Sequence, residues 1–247
     1  MKKLLLVCLL FVATAVSAQN LQLHYDFGRQ LYSELDKSEL SDGRATLTTT
    51  FEMFRPDKVG STYLFVDMDY NRGVSGAYWE IAREFCFWGS SKWSWLSLHV
   101  EYNGGLDRVA GSYNDAYLGG ATYSGHSEDY SKTWSLSMMY KHIPHTVDME
   151  GERAESNFQI TGVWNLAFCK GRFSFDGFFD FWREYRPWQD TSHIFLAEPQ
   201  LWYHFNRNTP KGSGFLSIGA ECEVSNNFVG RGFYAIPTLA LKWTFNK

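Results

Sequence analysis

Apolar and polar residues alternate one by one along much of the chain after residue 18. In one such stretch Phe158, Ile160 and Trp164 share one side of the backbone, whereas Gln159 and Thr161 share the other. Successive side chains of a β-strand point to opposite faces, so a period of two predicts strands with one apolar and one polar face. Helical periodicity is scarce, and we therefore predict an all-β protein.

This alternation predicts about twelve strands, most of them about 9–13 residues long. They cover residues 20–28, 44–54, 61–70, 77–88, 93–103, 113–123, 132–142, 155–167, 172–182, 192–205, 213–225 and 232–245. Strands of soluble proteins usually have about five or six residues, whereas a tilted strand that spans a membrane needs about 9–11. The lengths favour a membrane barrel.

The connections between the predicted strands also differ in length. If both termini lie on the periplasmic side, the odd-numbered connections face outward and the even-numbered ones face the periplasm. The outward set is 29–43, 71–76, 104–112, 143–154, 183–191 and 226–231, and the periplasmic set is 55–60, 89–92, 124–131, 168–171 and 206–212. Most outward connections are longer, with 124–131 as an exception, which is typical of outer-membrane barrels.

The apolar faces are unusually aromatic, and the polar faces carry acids such as Asp176 and Asp180. A soluble barrel or sandwich also alternates, but it buries its apolar face. An outward apolar band with aromatic girdles around a polar lumen accounts better for these faces. We predict a transmembrane antiparallel up-and-down β-barrel of about twelve strands, with a soluble β protein as the alternative.

The first 18 residues have the organisation of an export signal. Lys2 and Lys3 precede an apolar run from Leu4 to Val12, and Val16-Ser17-Ala18 is a small-residue cleavage site. The run is too short for a bilayer span, which needs about 20 residues. We predict that residues 1–18 are cleaved and that residues 19–247 form the barrel. No later apolar stretch has the length of a spanning helix, which excludes a helical membrane protein.

Composition and charge exclude other classes. Aromatic residues make up 18% of the chain, which argues against disorder, and the net charge of -4 offers no basic surface for nucleic acid. Cys86, Cys169 and Cys222 are an odd number of thiols without metal-binding spacing. His142 and His145 are three residues apart, but Pro144 between them prevents a helix that would bring them together. We expect neither a metal nor a cofactor.

The polar faces supply the residues expected to line the lumen. They are Tyr63, Asp67, Asp69, Glu80, Glu84, Trp95, His99, Glu101, Asp176, Phe178, Asp180, Trp182, Glu221 and Glu223. Acids dominate this set, which would favour neutral or cationic solutes over phosphates. Arg83 breaks the alternation of its strand, and a charge facing lipid near the midplane costs about 2–4 kcal/mol. We expect a bulge that turns Arg83 into the lumen, or a position near the headgroups.

Four segments carry a resemblance to a known family: 79–85, 135–141, 171–182 and 192–196. In order and spacing they resemble the Tsx-type nucleoside-specific channels of outer membranes. That resemblance implies a monomeric barrel with a narrow channel that passes nucleosides passively. The last strand ends in Phe245, close to the chain terminus, and resembles the signal read by the outer-membrane barrel assembly machinery, although Asn246 and Lys247 follow it.

The function predicted from these features is a narrow outer-membrane diffusion channel for nucleosides or similar small neutral solutes. Its expected partners are outer-membrane lipid, the solutes and the assembly machinery. The alternatives are a lipid-modifying barrel and a structural or adhesive barrel, neither with an open pore. His99 and the lumen carboxylates could supply acid/base groups to an enzyme, but no nucleophile motif accompanies them, and we expect none of these residues to be catalytic. An open lumen favours the channel, whereas a plugged lumen with a Ser/His cluster at the rim favours the enzyme.

Overall fold

The computed structural model describes residues 18–35, 43–109, 111–186, 190–205 and 214–245. Residues 1–17 lie outside this range, so the export signal and its cleavage stay predictions. Within the described residues, none of the helices has the length and apolarity needed to cross a membrane.

Antiparallel strands make up most of the described chain. In order they are β1 (Ala18–Asp26), β2 (Leu47–Asp57), β3 (Gly60–Tyr70), β4 (Val74–Phe85), β5 (Leu96–Asp107), β6 (Gly111–His126), β7 (Lys132–His142), β8 (Ser156–Phe168), β9 (Phe173–Arg186), β10 (Thr191–Ala197), β11 (Gln200–His204), β12 (Phe215–Asn226) and β13 (Phe233–Phe245). A single helical turn, α1 (Gly28–Leu31), follows β1, and a short 3-10 turn (Ser33–Leu35) follows α1. Apart from β10 and β11, which both lie between β9 and β12, each strand pairs with its neighbours in sequence. β13 pairs with β1, which closes the sheet.

Strands β10 and β11 are two halves of one strand, because both lie between β9 and β12. Ala197 is opposite Phe179 and Gln200 is opposite Asp176, so the register continues unchanged across the gap. The interruption falls at Pro199, which has no backbone N–H to donate. The barrel therefore has twelve strands, which confirms the predicted antiparallel barrel and its single strand over 192–205.

The two faces of the wall are the reverse of those of a soluble barrel. On β13, Leu239 and Leu241 are 57% and 46% exposed on the outside, whereas Lys242 is only 7% exposed. Buried polar side chains such as Gln22 and Ser217 occupy the inside. An apolar outer surface around a polar interior is the arrangement that a lipid bilayer requires.

Aromatic rings cover much of the outer surface between β8 and β9. Trp164 packs against Phe175 with ring centroids 5.8 Å apart, and the ring of Phe179 lies over Gly162. A Cβ at position 162 would come within 2.2 Å of that ring, so only glycine lets Phe179 lie against the wall. The rings of Phe175 and Phe179 face outward, as the alternation predicted.

The two ends of the barrel differ in their connections. The short-turn end holds the first and last residues of the barrel and the connections 58–59, 86–95, 127–131 and 169–172. The long-loop end holds the long connections 27–46 and 143–155, together with short ones such as 71–73. β6 continues to His126, so the apparent exception at 124–131 shortens to 127–131. The contrast between the ends is thus weaker than predicted, because it depends on two long connections.

The outward position of Leu239, in the middle of β13, leads to a test. The variant Leu239→Arg places a charge against lipid, and we expect it to lower the free energy of unfolding in phospholipid bilayers by about 2–4 kcal/mol. Reversible denaturant titration in lipid vesicles measures this change. Met149→Arg is the matched control, because Met149 is 62% exposed in the connection 143–155. Equal effects of the two variants would contradict the outward placement of Leu239.

Candidate functional site

The interior of the barrel contains one extended cavity of about 1480 Å³. Its lining includes Ser94 and Tyr130 at the short-turn end and Arg44 and Arg186 at the long-loop end. The cavity therefore reaches both ends of the barrel. Most of its lining side chains come from the inward faces of the strands.

Fourteen of the fifteen residues predicted for the lumen line this cavity. They are Tyr63, Asp67, Asp69, Glu80, Glu84, Trp95, His99, Glu101, Asp176, Phe178, Asp180, Trp182, Glu221 and Glu223. The alternation placed them correctly because the strand pairing is regular over most of the barrel wall.

The predicted lumen position of Arg83 is wrong. Glu80 and Glu84 face inward, and Arg83 lies on the opposite, outer face of the same strand without a bulge at this point. Its guanidinium forms a two-point ion pair with Asp57, with Nη1 to Oδ2 at 2.6 Å and Nη2 to Oδ1 at 2.9 Å. Asp57 ends β2 at the short-turn end. The charge is therefore neutralised at the edge of the barrel, in agreement with the second alternative, a headgroup-level position.

His99 is held between two carboxylates on the wall formed by β4 and β5. Its Nδ1 lies 2.6 Å from Glu84 Oε1 and its Nε2 lies 3.0 Å from Glu101 Oε2. A carboxylate only accepts, so the ring satisfies both contacts as a doubly protonated imidazolium. Thr122 donates to Glu84 at 2.8 Å, and Ser97 also donates to this carboxylate. With both nitrogens engaged, His99 has no free base for proton abstraction.

Trp182 lies in the lumen near the long-loop end, but its surface is covered. The Lys141 Nζ is 4.9 Å from the ring centroid, and the ring of Phe228 packs edge-on at 5.8 Å. The indole N–H donates to Glu184 at 2.8 Å, while Lys141 donates to Gln159 at 2.7 Å. Trp182 is 5% exposed and offers no free face on which a solute could stack.

A second tryptophan fills the lumen near the short-turn end. Trp202 is fully buried, and its indole N–H donates to Gln200 at 2.9 Å. The Lys242 Nζ lies 3.9 Å above its ring and 3.6 Å from Asp176. Trp202 is absent from the predicted lumen residues, although it shares the inward face of its strand with Gln200.

Arg44 fastens the connection 27–46 to the inner wall at the long-loop end. Its Nε donates to Asp26 at 2.9 Å, and its Nη2 lies 2.5 Å from Glu223 Oε2. Burial opposes the charge, but the carboxylates of Glu223 and Asp26 outweigh burial and raise the pKa of Arg44 above its ordinary value. Arg44 therefore carries a permanent positive charge in this mouth of the barrel.

The inner face of β3 and β4 presents partly exposed aromatic rings beside acids. Phe65 and Tyr78 lie 6.4 Å apart in an edge-on arrangement, and the Tyr78 hydroxyl donates to Glu80 at 2.8 Å. Tyr63 and Asp67 line the same face. We call Tyr63, Phe65, Tyr78, Asp67 and Glu80 the aromatic wall.

The predicted lumen residues do not include the basic residues of the cavity, which are Arg44, Lys141, Arg186 and Lys242. Lys141 and Lys242 share the phase of the polar faces, so the alternation could have identified them. Arg44 comes from a connection, where no periodicity applies. Acids still outnumber these cations in the lining. In the described part of the chain, no three His, Cys, Asp or Glu side chains are placed to hold a metal ion.

A closed barrel with an apolar outside and a polar lumen is an outer-membrane type of β-barrel. The chain belongs to the family described as "Domain of unknown function (DUF5020)", whose model matches residues 18–245. A comparison with curated proteins gives no match.

Three solved structures are similar to this chain to different degrees. The NanC porin is 11% identical with a TM-score of 0.57, over 93% of this chain and 100% of that one. LpxR from Salmonella typhimurium is 7% identical with a TM-score of 0.45, over 94% and 100% of the two chains. OccK5 (OpdH) from Pseudomonas aeruginosa is 10% identical with a TM-score of 0.41, over 92% and 63%. At these identities the NanC similarity shows the fold alone, and Tsx-type specificity stays a prediction.

The position of His99 between two acids leads to a second test. His99→Gln removes the positive charge that Glu84 and Glu101 share, and we expect it to lower the free energy of unfolding by about 3 kcal/mol. Urea titration of the refolded barrel measures the change. The control is His145→Asn, because His145 is exposed in a connection and Asn tolerates its positive φ of 63. A loss no larger than that of the control would show that the imidazolium does not hold this wall together.

Proposed function

We propose that this protein is a narrow diffusion channel of the outer membrane for small polar solutes. The observation that carries the proposal is the polar-lined cavity that reaches both ends of a closed barrel. The side chains of Arg44 and Trp182 line this cavity and narrow it, and the buried Trp202 fills part of the barrel interior. A pore of this kind suits single small molecules rather than polymers.

Nucleosides are the solutes that we propose to test first. The aromatic wall offers ring faces for a base, and stacking of a base on an aromatic side chain contributes about 1–3 kcal/mol. Asp67 and Glu80 lie beside these rings and can accept hydrogen bonds from ribose hydroxyls. Contacts of this strength let a solute bind and leave again, as passage requires. The acidic lining opposes nucleotides, which carry phosphate.

The proposed biogenesis and orientation follow from the ends of the chain. Residues 1–18 direct export and are removed, and residues 19–247 are inserted by the barrel assembly machinery as a monomer. The short-turn end, which holds both barrel termini, faces the periplasm, and the connections 27–46 and 143–155 face outward.

Single-channel recording of refolded residues 19–247 in planar bilayers tests the channel proposal. We expect small openings that nucleosides reduce in a concentration-dependent way, with weaker effects of glucose and of nucleoside monophosphates. Correct folding is verified separately by circular dichroism. A folded barrel without conductance would contradict the channel and would direct attention to lipid chemistry at the rim.

Replacement of Tyr78 by Leu tests the aromatic wall. The variant removes a ring and a hydroxyl, and we expect the nucleoside concentration for half-block to rise by about fivefold or more. Tyr117→Leu is the matched control, because Tyr117 is 56% exposed on the outer face. If nucleoside block were equally strong in Tyr78→Leu and the control, the aromatic wall would not be the stacking surface.

A further inference from the structure

Two glutamates face each other across neighbouring strands in the lumen. Ala197 is opposite Val224 and Gln200 is opposite Glu221, so the same register places Glu198 directly opposite Glu223. Both side chains line the cavity. Like charges directly opposite one another destabilise a sheet, so this pair needs a compensating positive charge.

The compensation inside the protein is incomplete. Arg44 occupies Glu223 Oε2, but Glu223 Oε1 is buried without a hydrogen-bond partner, and the whole residue is only 7% exposed. The neighbouring Glu221 is held by Gln200 at 2.6 Å. Within the described residues, no hydrogen bond or ion pair joins the Glu198 carboxylate to another side chain. A buried acceptor without a partner is costly, and here it faces a solute pathway.

The missing partner has the properties of an organic cation. The described residues offer no group of three metal-binding side chains, so the acids do not converge on a single ion. An ammonium group has three N–H donors and can bridge two carboxylates. Its charge also matches the excess of acids in the lining of the cavity.

We propose that Glu198 and Glu223 form a binding site for the primary ammonium group of a small hydroxylated solute that passes through the lumen. This inference rests on the proposed channel function and extends its solutes from neutral molecules to amines. The free Glu223 Oε1 and the Glu198 carboxylate accept from the ammonium group. Arg44 competes for the same acids from the long-loop end and limits how tightly the amine is held.

Three sugars of equal ring size test the site: glucosamine, glucose and glucuronate. In planar bilayers with the wild-type protein, we expect glucosamine to halve the conductance at a concentration about tenfold lower than glucose, with glucuronate the weakest. The double variant Glu198→Gln, Glu223→Gln should give glucosamine and glucose equal half-block concentrations. Glu150→Gln is the control, since it removes an acid from the exposed connection 143–155.

A second variant and a second measurement separate the two proposals. Arg44→Gln removes the competing guanidinium and should strengthen glucosamine block. If the wild-type barrel does not conduct, the channel proposal fails, and the rise in Tm that glucosamine causes in detergent still reports binding at the site. A conducting wild type without preference for glucosamine, or a preference retained by the double Gln variant, would overturn the ammonium site and leave the channel intact. If the wild-type barrel does not conduct, equal Tm shifts with glucosamine and glucose would overturn the ammonium site.

Discussion

Closure of the sheet between β1 and β13 is the constraint on which the rest of the structure depends. In lipid, backbone N–H and C=O groups find no water, so every strand edge must be paired. The register from Gln19 opposite Phe245 to Asp26 opposite Thr238 removes the last two edges. Once the wall is closed, alternate side chains must face lipid or lumen, and the sequence with a period of two satisfies both environments.

Closure of the wall places many polar side chains together in the lumen. Polar side chains there must satisfy one another, and they do so in local networks such as Glu84–His99–Glu101 and the cations above Trp182 and Trp202. In these networks the polar groups of the inner wall serve as hydrogen-bond and charge partners for one another. Glu223 Oε1 and the aromatic wall are among the groups with spare hydrogen-bonding capacity, and a passing solute can interact with them.

Local periodicity was enough to predict the wall, and it failed where contacts come from elsewhere in the chain. The segment 132–142 was predicted with the bounds of β7, because apolar and polar residues alternate along it except at Met139. The lumen position predicted for Arg83 was wrong because its partner Asp57 belongs to β2, two strands away from β4. This ion pair neutralises a charge that the alternation alone makes unfavourable on the outer face. Arg44 and Phe228 enter the lumen from connections, whose course has no period. Glu198 could not be matched with Glu223 before the strand register was known.

Pro199 also has a consequence for the mechanics of the barrel. The strand made of β10 and β11 is interrupted in the middle of its length, where Pro199 has no N–H to donate. Cooperative units of local opening tend to divide where hydrogen bonding is interrupted. The halves on either side of Pro199 can therefore open separately, so that hydrogen–deuterium exchange would begin in the centre of the membrane wall and not only at its frayed ends.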